Sequence, residues 1–84
     1  MQKLERDGRW LMERGNLTEA VRSLEDVCQK NDGNSWRIQK LSATPRVYEV
    51  EVIVDNGRSR GRGTGPSPWD AAGRALVSLS EAKP

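Results

Sequence analysis

The chain has 84 residues, 35% hydrophobic and 31% charged, with a formal net charge of +2 and no histidine. That length makes one small domain, near the lower limit at which a hydrophobic core supports a fold alone, and its apolar runs fall far short of the roughly 20 residues that span a bilayer. With no histidine and a single cysteine, Cys28, it offers no Ser/His or Cys/His pair, no metal-ligand spacing and no internal disulfide, so a soluble, non-catalytic, cofactor-free and metal-free protein of the reducing cytoplasm is expected, with no membrane partner.

Charge is unevenly spread. Residues 1–34 carry six basic and seven acidic side chains, a sum of −1, whereas residues 35–84 carry eight basic and five acidic, a sum of +3. The basic bias of the second half points to a polyanionic partner.

Residues 3–14, "KLERDGRWLMER", place Leu4 and Leu11 two turns apart ahead of Gly15. The spacing predicts a short helix, weakened at Gly8, where a glycine inside a helix costs about 1 kcal/mol. Residues 1–15 are therefore read as a helical N-terminal extension of a domain over 16–82. Next, Asn16 is an N-cap and Glu19 its capping-box partner. Leu17, Ala20, Val21, Leu24, Val27 and Cys28 then follow the rhythm of one apolar helix face, with Asn31 and Gly33 as the stop. Cys28 lies in that stripe and reads as a small core hydrophobe, not a reactive thiol.

The period then changes to two. "WRIQKL" (36–41) alternates loosely and "VYEVEVIV" (47–54) cleanly, with Tyr48, Val50, Val52 and Val54 on one face and Glu49, Glu51, Ile53 and Asp55 on the other. Asn56-Gly57 suits a type I′ hairpin turn, which needs positive φ at both central residues. A third strand over 58–63 puts Arg58, Arg60 and Arg62 on one face, opposite Asp55, Ile53 and Glu51. Cross-strand pairing makes this a charge-paired solvated face ahead of a phosphate-binding stripe. The final helix takes Ser67 as N-cap, Pro68 as first residue and Asp70 as capping partner, with Ala71, Ala75, Leu76 and Leu79 on its apolar side. The preceding "GRGTG" has the glycines of a phosphate loop but lacks its Gly-Lys-Ser/Thr ending.

These elements make an α+β fold of order α-β-β-β-α: a three-stranded antiparallel sheet with two helices on one face and a further helix in front. That order, the "LEDVCQK" segment (24–30) and the Gly63-x-Gly65-x-Ser67 entry to a helix spaced Ser67, Ala71, Ala75, Leu76, Leu79 resemble the double-stranded RNA-binding domain family. The resemblance covers residues 17–79. It implies a grip on A-form duplex by the first helix, the first inter-strand loop and the start of the last helix. Carried onto this chain, it assigns RNA contacts to Asp26, Gln29 and Ser67; Lys40 and Arg46 near the departing loop, and Trp69 and Arg74 on the last helix, are further candidates read from the residues themselves. The chain departs from the family at the last helix, where Pro68, Trp69 and Ala72 stand in place of lysines, and in a shorter first loop without histidine.

The expectation is thus a module that binds structured or double-stranded RNA by shape and phosphate contacts, with little sequence specificity. The competing expectation is a protein-interaction or dimerisation module, a homodimer included, built on residues 1–15, Trp10, Trp69 and an exposed sheet edge.

Overall fold

The structure, a computed structural model, describes residues 2–29 and 33–81. In chain order these form α1 (Gln2–Arg14), α2 (Leu17–Cys28), β1 (Ser35–Ala43), β2 (Arg46–Val54), β3 (Ser59–Gly65) and α3 (Pro68–Glu81). Asn31, expected to help stop the second helix, and residue 82, the expected domain end, lie outside the described residues. Among those described, no helix is long and apolar enough to cross a membrane.

Local chemistry sets the helix starts. The Asn16 Oδ1 accepts the Glu19 N–H at 2.9 Å, and the Ser67 Oγ accepts the Asp70 N–H at 3.2 Å. Each cap satisfies a donor that the first helical turn leaves open, and contributes about 1 kcal/mol.

The strands pair antiparallel in the order β1-β2-β3. Asp55, Asn56 and Gly57 take φ of 60°, 58° and 86°, and the Gly57 and Arg58 N–H groups donate to the Val54 and Asp55 carbonyls at 3.1 Å each. The turn therefore spans Asp55–Arg58, and the expected pairing of Asp55 with Arg58 is not formed, because a left-handed Asp55 cannot continue the strand. The turn fixes the expected register, Ile53 opposite Arg60 and Glu51 opposite Arg62. Pairing runs from Ser59 to Gly65 rather than over 58–63, because Arg58 still belongs to the turn and Gly65 pairs with Tyr48. At the other end Ala43 pairs with Arg46 across Thr44-Pro45, and the β1–β2 ladder shifts register between Lys40 and Ser42.

Val50 and Val52 point to the helices and are fully buried. Opposite them on β3 stand Gly63 and Gly61. A side chain at Gly61 would strike the Ala75 carbonyl oxygen, and one at Gly63 would strike the Ala71 carbonyl oxygen. The backbone of α3 therefore rests directly on the backbone of β3. This is the physical role of "GRGTG": its glycines make a smooth seat for a helix, and its other residues face away.

The opposite side of α3 is covered as well. A Cβ at Gly8 would lie 2.5 Å from the Gly73 carbonyl oxygen and 2.8 Å from Val77 Cγ2. So α1 crosses α3 at a glycine–glycine contact, and Leu4 and Leu11 enter the same core as Leu24, Leu76 and the sheet valines. Burying a leucine contributes about 1.5–3 kcal/mol. In a chain without phenylalanine, the remaining cohesion comes from close backbone approach across alanines and glycines.

Candidate functional site

The start of α3 is where the resemblance expects a phosphate. There the Asp70 carboxylate, 15% exposed, lies against Gly65, with its Oδ2 2.5 Å from where a Cβ on that glycine would sit. Arg74 donates from Nε to Asp70 Oδ1 at 3.3 Å. The helix dipole and its free N–H groups thus meet a carboxylate of the same helix. Trp69 packs partly buried against the core. Of the three candidates here, one caps, one packs and one is ion-paired.

The other candidates divide by topology. Lys40 pairs with Tyr48 on β2, and Tyr48 pairs with Gly65, so Lys40, Arg46, Ser67 and Trp69 share the sheet end that holds the Thr44-Pro45 turn. The Lys40 ammonium sits 6.0 Å from the Tyr48 ring centroid, and Arg46 is exposed. Asp26 and Gln29 lie towards the opposite end, where α2 returns to β1 and the Asp55 N–H reaches Asn34 Oδ1 at 3.0 Å. Both are exposed, and Asp26 pairs with Lys3 of α1 at 3.3 Å. Over its length α2 carries Glu19, Glu25 and Asp26 against Arg22, a net of −2.

The most organised charged cluster lies on the outer sheet face, away from the helices. Glu51 sits between Arg37 of β1 and Arg62 of β3 in the pairing ladder. Its Oε1 lies 3.4 Å from Arg37 Nη2, and its Oε2 lies 3.8 Å from both Arg60 Nη1 and Arg62 Nη2. The Arg62 Nε also meets Glu49 Oε2 at 3.4 Å. Exposure sorts the cluster into two layers. The Glu51 and Glu49 side chains are 8% and 14% exposed, whereas the three arginines are 59–60% exposed. Three positive charges over two negative leave +1, and the layer that meets solvent is the guanidinium layer.

The alternation of residues 58–62 had already placed Arg60 and Arg62 on this face. Arg37 is the member that sequence reasoning missed. Its signal was the loose alternation of "WRIQKL", but joining it to Glu51 requires the β1–β2 register, and no strong turn signal sets that register.

Among apolar side chains, Trp10 is 46% exposed, Leu17 51% and Leu41 48%. Cys28 is a free thiol packed beside the core, and burial raises its pKa above the ordinary thiol value. No protein-family model, curated protein or solved structure matches the chain.

Proposed function

We propose that this chain is a small non-catalytic module of the reducing cytoplasm that binds nucleic acid by its phosphate backbone, with the outer sheet face as the contact surface. The observation that carries this reading is the layered cluster: Arg37, Arg60 and Arg62 outermost, with Glu49 and Glu51 beneath them. Guanidinium groups match phosphate oxygens in planar, bidentate fashion. The charged outer face carries no aromatic ring on which an unstacked base would lie, which favours a duplex, whose phosphates are outermost, over a single strand. The element order resembles that of double-stranded RNA-binding domains, of which we read the chain as a divergent member, but that family grips RNA from its helix side, so the outer-face contact proposed here rests on the arginine layer and not on the resemblance.

The helix-side candidates support it less. The net −2 of α2 repels phosphate, and Asp70 stands at the helix start where a phosphate would bind. The test is fluorescence anisotropy with an RNA duplex of about 20 base pairs at roughly 50 and 200 mM salt, since a phosphate-driven complex weakens steeply with salt. Arg60→Gln with Arg62→Gln should weaken binding at least about tenfold, while Asp26→Asn with Gln29→Ala should change it less than about twofold. The opposite ordering would return the interface to the helices. Equal binding by all forms would move the contact away from both surfaces, and no binding by the unsubstituted chain at the lower salt concentration would end the nucleic-acid reading.

A second reading, a protein-interaction module, rests on the half-exposed Trp10, since tryptophan is enriched among interface anchors. Concentration-dependent sedimentation that Trp10→Ala abolishes, in a protein that does not bind the duplex, would favour it.

A further inference from the structure

We propose that the free edge of β3 takes an extended, acidic segment of a partner protein as a fourth strand. β3 pairs with β2 without a break over seven residues and stands last in the sheet order. In an antiparallel ladder alternate residues turn their N–H and C=O groups away from the partner strand. Among the described residues, nothing but β2 takes up the backbone groups of β3. Beside that edge lies an open groove of about 400 Å³. Arg62, Gly63 and Thr64 form one wall, and Met12 of α1 with Arg74, Val77, Ser78 and Glu81 of α3 form the other. A row of unpaired backbone groups beside a groove under a helix is the layout that strand addition uses. The edge of β1, by contrast, is bent by the register shift between Lys40 and Ser42, and such irregularities turn an edge away from pairing.

Side chains on an added strand alternate between two faces. On the inner face they meet the half-buried Met12 and Val77, while Arg74 and Glu81 offset one another, so that face selects apolar residues. On the outer face they stand opposite Arg60 and Arg62. Glu49 and Glu51 lie on β2, beyond β3 and about 10 Å, two strand spacings, from the added strand. They saturate neither arginine. The contacts of Glu51 with Arg60 and Arg62 are both 3.8 Å, beyond hydrogen-bond length, and each guanidinium carries about five donors. The outer face therefore selects carboxylates, which a guanidinium binds in bidentate fashion. A second copy of β3 fits badly. Its strand holds two arginines and no acid, and like charges brought opposite one another destabilise a strand pair. None of this requires nucleic acid on the sheet face, although the two ligands would share Arg60 and Arg62.

The probe is a peptide of about eight residues that alternates Glu and Val, with a Lys/Val peptide of the same pattern as control. Each is titrated, without nucleic acid, into the full 84-residue chain labelled with ¹⁵N. The Glu/Val peptide should shift the amides of Ser59–Gly65 and slow hydrogen exchange at alternate residues of β3, those whose N–H turns outward. Two further copies carry N-methyl groups, one on every Glu nitrogen and the other on every Val nitrogen. Only one of these sets faces β3, so one copy should lose at least about tenfold in affinity and the other should keep it. Arg60→Gln with Arg62→Gln, changes at exposed sites, should weaken the parent peptide by about 2- to 30-fold. Equal affinity for the Lys/Val peptide, equal affinity of the two N-methyl copies, shifts centred on β1, or no shift at about 1 mM peptide would each overturn the proposal. So would peptide-free, concentration-dependent protection of β3, which would make a second copy of the chain the occupant.

Discussion

At Gly63 the absence of a side chain decides how close a helix and a strand can come. A Cβ there meets the Ala71 carbonyl oxygen, lies 2.5 Å from the Ala75 nitrogen and 2.6 Å from Arg74 Cβ. Two of these are backbone atoms, which no rotamer change relieves, so Gly63→Ala must push α3 off the sheet. Overpacking of this kind costs about 1–3 kcal/mol. Gly57→Ala is the proper comparison. Gly57 has φ of +86° but nothing within 4 Å of an added Cβ, so only the backbone conformation opposes it, at about 1 kcal/mol. In urea unfolding Gly63→Ala should lose more stability than Gly57→Ala, and the reverse order would mean that α3 can slide away at little cost. Cys28 gives a second residue-scale prediction. Burial raises its thiol pKa, so less thiolate is present at any pH below that value. Alkylation at pH about 8 should run slower than for free cysteine and speed up on unfolding. A folded protein that reacts at the free-cysteine rate would place the thiol in open solvent.

The elements differ in how far the sequence announces them. Both caps, the α2 and α3 stripes, and the Asn-Gly hairpin were legible because each depends on residues within a few positions of one another. The docking of α1 was not. Gly8 reads as a weak point when judged by helix propensity alone, yet it is the point where α1 meets Gly73, and nothing local connects two glycines so far apart in sequence. The placement of Arg37 failed for the same reason, since the irregularity between Lys40 and Ser42 leaves the β1 register to tertiary packing. The importance of α1 can be measured. Gly8→Leu drives a side chain into the Gly73 carbonyl and Val77 and so lifts Leu4 and Leu11 from the core. Losing two buried leucines should cost about 3 kcal/mol or more, against about 1 kcal/mol for removing the α3 cap by Ser67→Ala. A loss under about 0.5 kcal/mol in Gly8→Leu, the range of ordinary surface changes, would make α1 an appendage and not a part of the core.

For the whole molecule, the net charge of +2 understates the separation of charge. The residues of α2 sum to −2, with Lys3 of α1 against Asp26, while the outer sheet face sets three exposed arginines above two nearly buried carboxylates. The carboxylates have two opposed effects on a bound phosphate. They hold the guanidiniums in one layer, and they cancel part of its field. Glu51 touches all three arginines, so its replacement mixes both effects. Among the described residues Glu49 forms an ion pair only with Arg62, so Glu49→Gln removes a charge and leaves Arg37 and Arg60 in place. A phosphate roughly 8 Å from that carboxylate would be freed of about 0.5–2 kcal/mol of repulsion, taking an effective dielectric between about 20 and 80. Duplex binding by Glu49→Gln should therefore tighten by about 2- to 30-fold, and most at low salt, where screening is least. If binding weakens instead while the fold is kept, ordering of Arg62 outweighs its neutralisation, and the buried acids are supports of the binding surface. If binding is unchanged at every salt concentration, phosphate does not approach this face of the sheet.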